Sequence, residues 1–107
     1  MAWPDAEVAL ARRYGGTQQE PFQTSRGRRI VDVLSSSGIA HESKVGYTSL
    51  TQRTRSQILK DAELVANGTI KRSHWHFFRS QETGKVGATQ QLLDFLKENG
   101  IRYTIYK

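Results

Sequence analysis

Gly27-Arg28-Arg29-Ile30-Val31-Asp32-Val33-Leu34, then Ser35-Ser36-Ser37-Gly38, then Ile39-Ala40-His41-Glu42-Ser43-Lys44-Val45: this stretch decides how the chain is read. Two runs rich in β-branched and apolar residues flank a cluster of turn formers, so the segment predicts a β-hairpin. If the hairpin closes with paired residue numbers summing to 74, Asp32 lies opposite Glu42, and the two-residue alternation of a strand puts Lys44 on the same face as Glu42. Like charges directly opposite one another destabilise a sheet, and Asp32 sits among Ile30, Val31, Val33 and Leu34, where an unpaired charge is costly. A divalent cation resolves that conflict. Mg²⁺, with Mn²⁺ as a substitute, takes one or two carboxylates and keeps positions for water and a phosphate oxygen. Asp32 and Glu42 are therefore the expected metal ligands, and Lys44 is expected to orient the attacking water or offset phosphate charge. The simpler alternative has Asp32 ending its strand in a salt bridge with Lys44 or Arg29, and Glu42 solvated.

Working outward, Pro4 to Tyr14 predicts a short helix with proline in its first turn and Asp5 and Glu7 near its positive end, stopped by Gly15-Gly16. Thr17 to Gly27 is polar and predicts a loop with at most one short extended piece. Thr48 or Ser49 is expected to cap a helix reaching Ala66, with Asn67-Gly68 as its stop. Thr69 to Arg79 predicts a strand in which Trp75 and Phe77 pack inward while His74 and His76 share the other face as expected polar contacts, with transition-metal chelation or acid/base RNA cleavage as the alternative. His41 points away from Glu42. The stripe Leu92, Leu93, Phe95 and Leu96 marks an amphipathic helix ending near Asn99, and Ile101 to Tyr106 alternates as a final strand. The expected order is helix, strand, strand, helix, strand, helix, strand, an α/β sandwich around a mixed sheet with flanking helices.

The chain has 107 residues and room for one domain, expected as an N-terminal helix and loop over 1–26 and a core over 27–107. A formal net charge of +6 favours polyanionic partners, nucleic acid above all. No run approaches the length of a membrane span, and no stable membrane association is expected. With no cysteine, disulfides, thiolate nucleophiles and Cys-based zinc sites are excluded. Basic residues bracket the Asp32 and Glu42 pair, and Arg28, Arg29, Arg53 and Lys60 are expected to hold phosphates. Arg53 and Arg55 cannot share one helix face, so only one of them is expected to approach the site.

Asp32, followed after nine residues by Glu42-Ser43-Lys44, resembles the PD-(D/E)XK motif of nucleases with the restriction endonuclease-like fold. With Gln57-Ile-Leu-Lys60-Asp61 on the next helix, the string is similar to nuclease toxin domains at the C-termini of bacterial polymorphic toxins of the contact-dependent inhibition and Rhs types. That resemblance spans about Gly27 to Ile105. It implies a metal-dependent endonuclease acting on DNA, with an RNase acting on tRNA as the alternative, and Gln57 as a fourth catalytic element. It also implies secretion within a larger bacterial toxin, action in the target-cell cytoplasm and a cognate immunity protein. Val31 stands where the motif has proline, and the family's first core strand is either absent or hidden within Thr17 to Thr24. By the same resemblance Glu7 would be an additional acid of the metal site. A binding module without catalysis would use the same basic surface.

Overall fold

The computed structural model describes residues 1–107. Its elements are α1 (Trp3–Tyr14), β1 (Thr17–Thr24), β2 (Gly27–Leu34), β3 (Ile39–Val45), α2 (Gln52–Ala66), β4 (Arg72–Phe78), α3 (Gln90–Glu98) and β5 (Arg102–Ile105). The strands form one mixed sheet in the order β1-β2-β3-β4-β5. β1, β2 and β3 pair antiparallel, whereas β3, β4 and β5 pair parallel. Parallel neighbours need long crossovers, and α2 and α3 supply them.

The segment Thr17 to Gly27, expected as a loop, is instead mostly strand. β1 pairs with β2 from Thr17↔Leu34 to Thr24↔Gly27. Its polar composition misleads because it is an edge strand with one partner and largely exposed side chains, a place where Pro21 loses no ladder bond to an outer neighbour. The chain therefore has a strand ahead of the Asp32 strand, and residues 1–26 contribute to the sheet.

The start of α2 also differs. Thr51 is its N-cap: the Thr51 hydroxyl accepts from the Thr54 amide at 3.2 Å, and the Thr51 amide donates to the Thr54 hydroxyl at 2.8 Å. This is a capping box with threonine in the place usually held by Glu or Gln. Thr48, one of the expected caps, is extended and bridges to Ala88.

α1 covers one face of the sheet, where Ala6 and Leu10 pack on Val33 and Phe78. α2 and α3 cover the other, where Ile58, Leu92 and Leu96 enclose Trp75 and Phe77, and Leu64 and Ile70 pack on Val31 and Ala40. Val31 and Val33, two residues apart, thus belong to opposite layers. Between them, at Asp32, the regular pairing fails on both sides. The β2–β3 ladder has the expected register but holds only Val33↔His41 and Leu34↔Ala40, and never reaches Asp32 and Glu42. On the β1 side, Gln19 drops out of the register between Gln18↔Val33 and Glu20↔Val31 and takes φ 54°. A wedge opens between β2 and β3.

Candidate active site

That wedge is a cleft of about 280 Å³ lined from both layers: Glu7 from α1, Gln19 from β1, Asp32 from β2, Glu42, Ser43 and Lys44 from β3, and Arg53 and Gln57 from α2. Asp32, Glu42, Lys44 and Gln57, the four expected catalytic residues, meet here although they come from three elements. Glu7 joins them.

The contacts fix each group. Glu42 is buried, with Oε1 3.1 Å from the Arg29 guanidinium and Oε2 3.1 Å from Lys44 Nζ. Lys44 Nζ also donates to Gln57 Oε1 at 2.8 Å, so the ammonium is held between β3 and α2. Asp32 Oδ2 accepts from the Ser43 amide at 2.8 Å and its hydroxyl at 3.0 Å, taking the place of the missing ladder bond. Its Oδ1 has only Gln19 Nε2 at 3.5 Å, and the same amide donates to Glu7 Oε1 at 2.5 Å. The alternative in which Asp32 pairs with Lys44 or Arg29 and Glu42 is solvated does not hold: both cations sit on Glu42.

Electrostatics follow from this burial. Burial pushes the Glu42 carboxyl above its usual pKa, against the pull of Arg29 and Lys44, and the Asp32 charge adds to the rise. Burial opposes the Arg29 charge too, but Glu42 and Asp61 outweigh it and hold that guanidinium above its ordinary value.

Arg29, expected among the phosphate-binding residues, is only 4% exposed. Its Nε donates to Asp61 Oδ1 at 2.7 Å and its Nη2 to Glu42 at 3.1 Å, so it braces the site from behind. Asp61, which sequence reasoning did not single out as a site support, also accepts from Ser73 Oγ at 2.8 Å and Trp75 Nε1 at 3.0 Å. A carboxylate at an apolar-face position of α2, beside Ile58 and Leu64, was the available signal.

The remaining cations stay accessible. A second cleft of about 330 Å³ adjoins the first, sharing Arg53 and Gln57 and bordered by Arg28 and Lys60. Lys60 Nζ donates to the Arg28 carbonyl at 2.9 Å, tying α2 to β2. Arg55 turns away and stacks on Phe95 with its guanidinium 4.6 Å from the ring centroid, so Arg53 alone of that pair faces the site.

The acidic cleft offers oxygen donors only, from Glu7, Asp32, Glu42 and Gln57, with neither imidazole nor thiol. Oxygen donors are the type that hard cations such as Mg²⁺ or Mn²⁺ take, but Glu7, Asp32 and Glu42 do not gather into one ligand group. The donors are spread rather than gathered: Lys44 and Arg29 occupy both Glu42 oxygens, and Asp32 Oδ1 is the least engaged acceptor. No family model, no curated protein and no solved structure matches this chain.

Proposed function

We propose that the chain is a metal-dependent nuclease domain with the restriction endonuclease-like core its motif resembles. The observation that carries this reading is the convergence of Asp32, Glu42, Lys44 and Gln57 in one cleft at a failed strand pairing, beside a basic cleft. Asp32 and Glu42, with Glu7 beside them, would hold Mg²⁺ or Mn²⁺, which when bound polarises a phosphodiester and acidifies a water. Lys44, fixed by Glu42 and Gln57, would direct its ammonium to the attacking water or a phosphate oxygen. Arg28, Arg53 and Lys60 hold flanking phosphates without reading bases. DNA is the first substrate and tRNA the alternative. The wider setting follows the resemblance: a toxin domain carried on a larger secreted bacterial protein, acting in the target-cell cytoplasm and neutralised by an immunity protein. No helix is long and apolar enough to cross a membrane.

One observation favours a second reading. Both Glu42 oxygens are already paired, as in a structural ion-pair network, so the basic surface could belong to a binding module without catalysis. One experiment separates them. Purified protein is incubated with supercoiled plasmid and with total tRNA, each with Mg²⁺ or EDTA. Asp32→Asn and Glu42→Gln are expected to lose about 100-fold or more in cleavage while retaining nucleic-acid affinity. If wild type leaves both substrates intact in Mg²⁺, or both variants cut like wild type, the nuclease reading fails.

A further inference from the structure

On the opposite face of the sheet, away from the carboxylate cleft, three imidazoles meet. His41 and His76 are buried and His74 is half-buried, and one ring nitrogen from each lies within 4.8 Å of the others. Strand periodicity alone puts His74 and His76 side by side, and the parallel pairing His41↔His74 brings in the third. Sequence alternation had pointed His41 away from Glu42, but its partners emerge only from the sheet.

Nothing proposed above uses these rings, and their burial is costly. His41 Nε2, on the side of the ring away from the Nδ1 that faces His76, is buried without a hydrogen-bond partner. His41 Nδ1 lies 2.9 Å from His76 Nε2, so these two nitrogens face each other across one shared hydrogen bond. The outer nitrogens of two of the rings are braced as in metal centres, His76 Nδ1 at 2.8 Å from the Tyr106 hydroxyl and His74 Nε2 at 2.8 Å from Thr104 Oγ1, while that of His41 is not. Tyr14, at the end of α1, stacks on His41 with centroids 4.0 Å apart and closes the site from above.

We propose that His41, His74 and His76 form a binding site for a borderline transition-metal ion, Zn²⁺ in class, distinct from the hard-cation site at Asp32 and Glu42. Three nitrogen donors select such an ion over Mg²⁺. Nitrogens about 2.9 Å apart can both reach one ion at the usual Zn–N bond of about 2.0–2.1 Å. The ligands lie on β3 and β4 beneath the end of α1, and a bound ion would staple the two strands.

The test uses the tag-free full chain, stripped with EDTA and then freed of chelator. Co²⁺ is titrated while visible absorption is followed, and Zn²⁺ is then added. One Co²⁺ per chain with the strong d–d bands of a low-coordinate nitrogen site, displaced by Zn²⁺ but not by excess Mg²⁺, is expected. Asp32→Asn should leave that spectrum unchanged. His74→Ala, at the half-buried position, should weaken binding by more than about 10-fold, taking the effect of even an outer-shell loss as the floor. Should that variant misfold by circular dichroism, the wild-type thermal midpoint decides, because Zn²⁺ must raise it. Absence of the d–d bands, their loss in Asp32→Asn, full affinity in a folded His74→Ala chain, or an unmoved midpoint would overturn the proposal.

Discussion

Arg29 faces two carboxylates at once, and removing it would leave Asp61 without a cationic partner and Glu42 with Lys44 alone. Breaking a buried pair by deleting one partner leaves an uncompensated charge, so Arg29→Ala is expected to cost about 3–5 kcal/mol. Arg29→Lys should recover only part, since a point charge cannot reproduce the fork that spans Glu42 and Asp61. Equilibrium urea unfolding measures both, and a loss below about 1 kcal/mol for the alanine variant would remove Arg29 as the organiser of the site. The roles expected of Asp32, Glu42 and Lys44 rest on local spacing, which the two-residue period of a strand makes readable. The position of Arg29 does not: its partner Asp61 is 32 residues further on, and only the packing of α2 against β2 turns an apparent phosphate ligand into a brace. Glu7 was equally ambiguous, because an acid near a helix start is explained by the dipole until α1 is seen to lean over the cleft.

At the scale of elements, Gly16 controls how β1 enters the sheet. A Cβ there would lie 1.9 Å from the Leu34 carbonyl oxygen, and the residue already has φ 96°. Gly16→Ala should therefore destabilise the protein by about 1–3 kcal/mol, and it should speed hydrogen exchange in β1 more than in β4. Unchanged unfolding and uniform exchange would show that the β1–β2 junction tolerates a side chain. β1 was illegible because an edge strand need not alternate hydrophobic and polar residues when solvent meets most of it. α3 was legible for the opposite reason: Leu92 and Leu96 are fully buried and follow a helical stripe, capped by Thr89. The start of α2 was misplaced by two or three residues because Thr48, Ser49 and Thr51 are all competent caps; the extended bridge from Thr48 to Ala88 removes Thr48, and the capping box falls on Thr51.

Across the whole molecule the histidine cluster sets a pH response. Burial holds His41 down at about 4 from an ordinary 6.5, and His74 and His76 below the same value. The charges around them, Arg13 on α1 and Arg102 on β5, also oppose protonation, and Tyr14 and Tyr106 complete the surroundings. The unfolded chain thus takes up protons first as the pH falls through 6.5, so stability is intact above that value and is lost progressively down to about 4. The slope approaches about 1.4 kcal/mol per pH unit for each such histidine. The raised Glu42 works in the opposite direction. The measurement is therefore a comparison of urea unfolding from pH 7 to 5, in which His41→Phe should show a shallower slope than wild type. Equal slopes would dismiss the cluster as the cause. The mixed sheet with helices on both faces was readable from the order of elements, whereas the wedge was not, since correct register says nothing about where a ladder ends. That short ladder, with the turn beside it, marks a place to divide the chain. Opened between Ser36 and Ser37, both exposed, the chain would give one fragment bearing Glu7 and Asp32 and another bearing Glu42, Lys44, Arg53 and Gln57. Neither half owns a complete site, so any activity would report reassociation in trans, a two-input device encoded in one small fold.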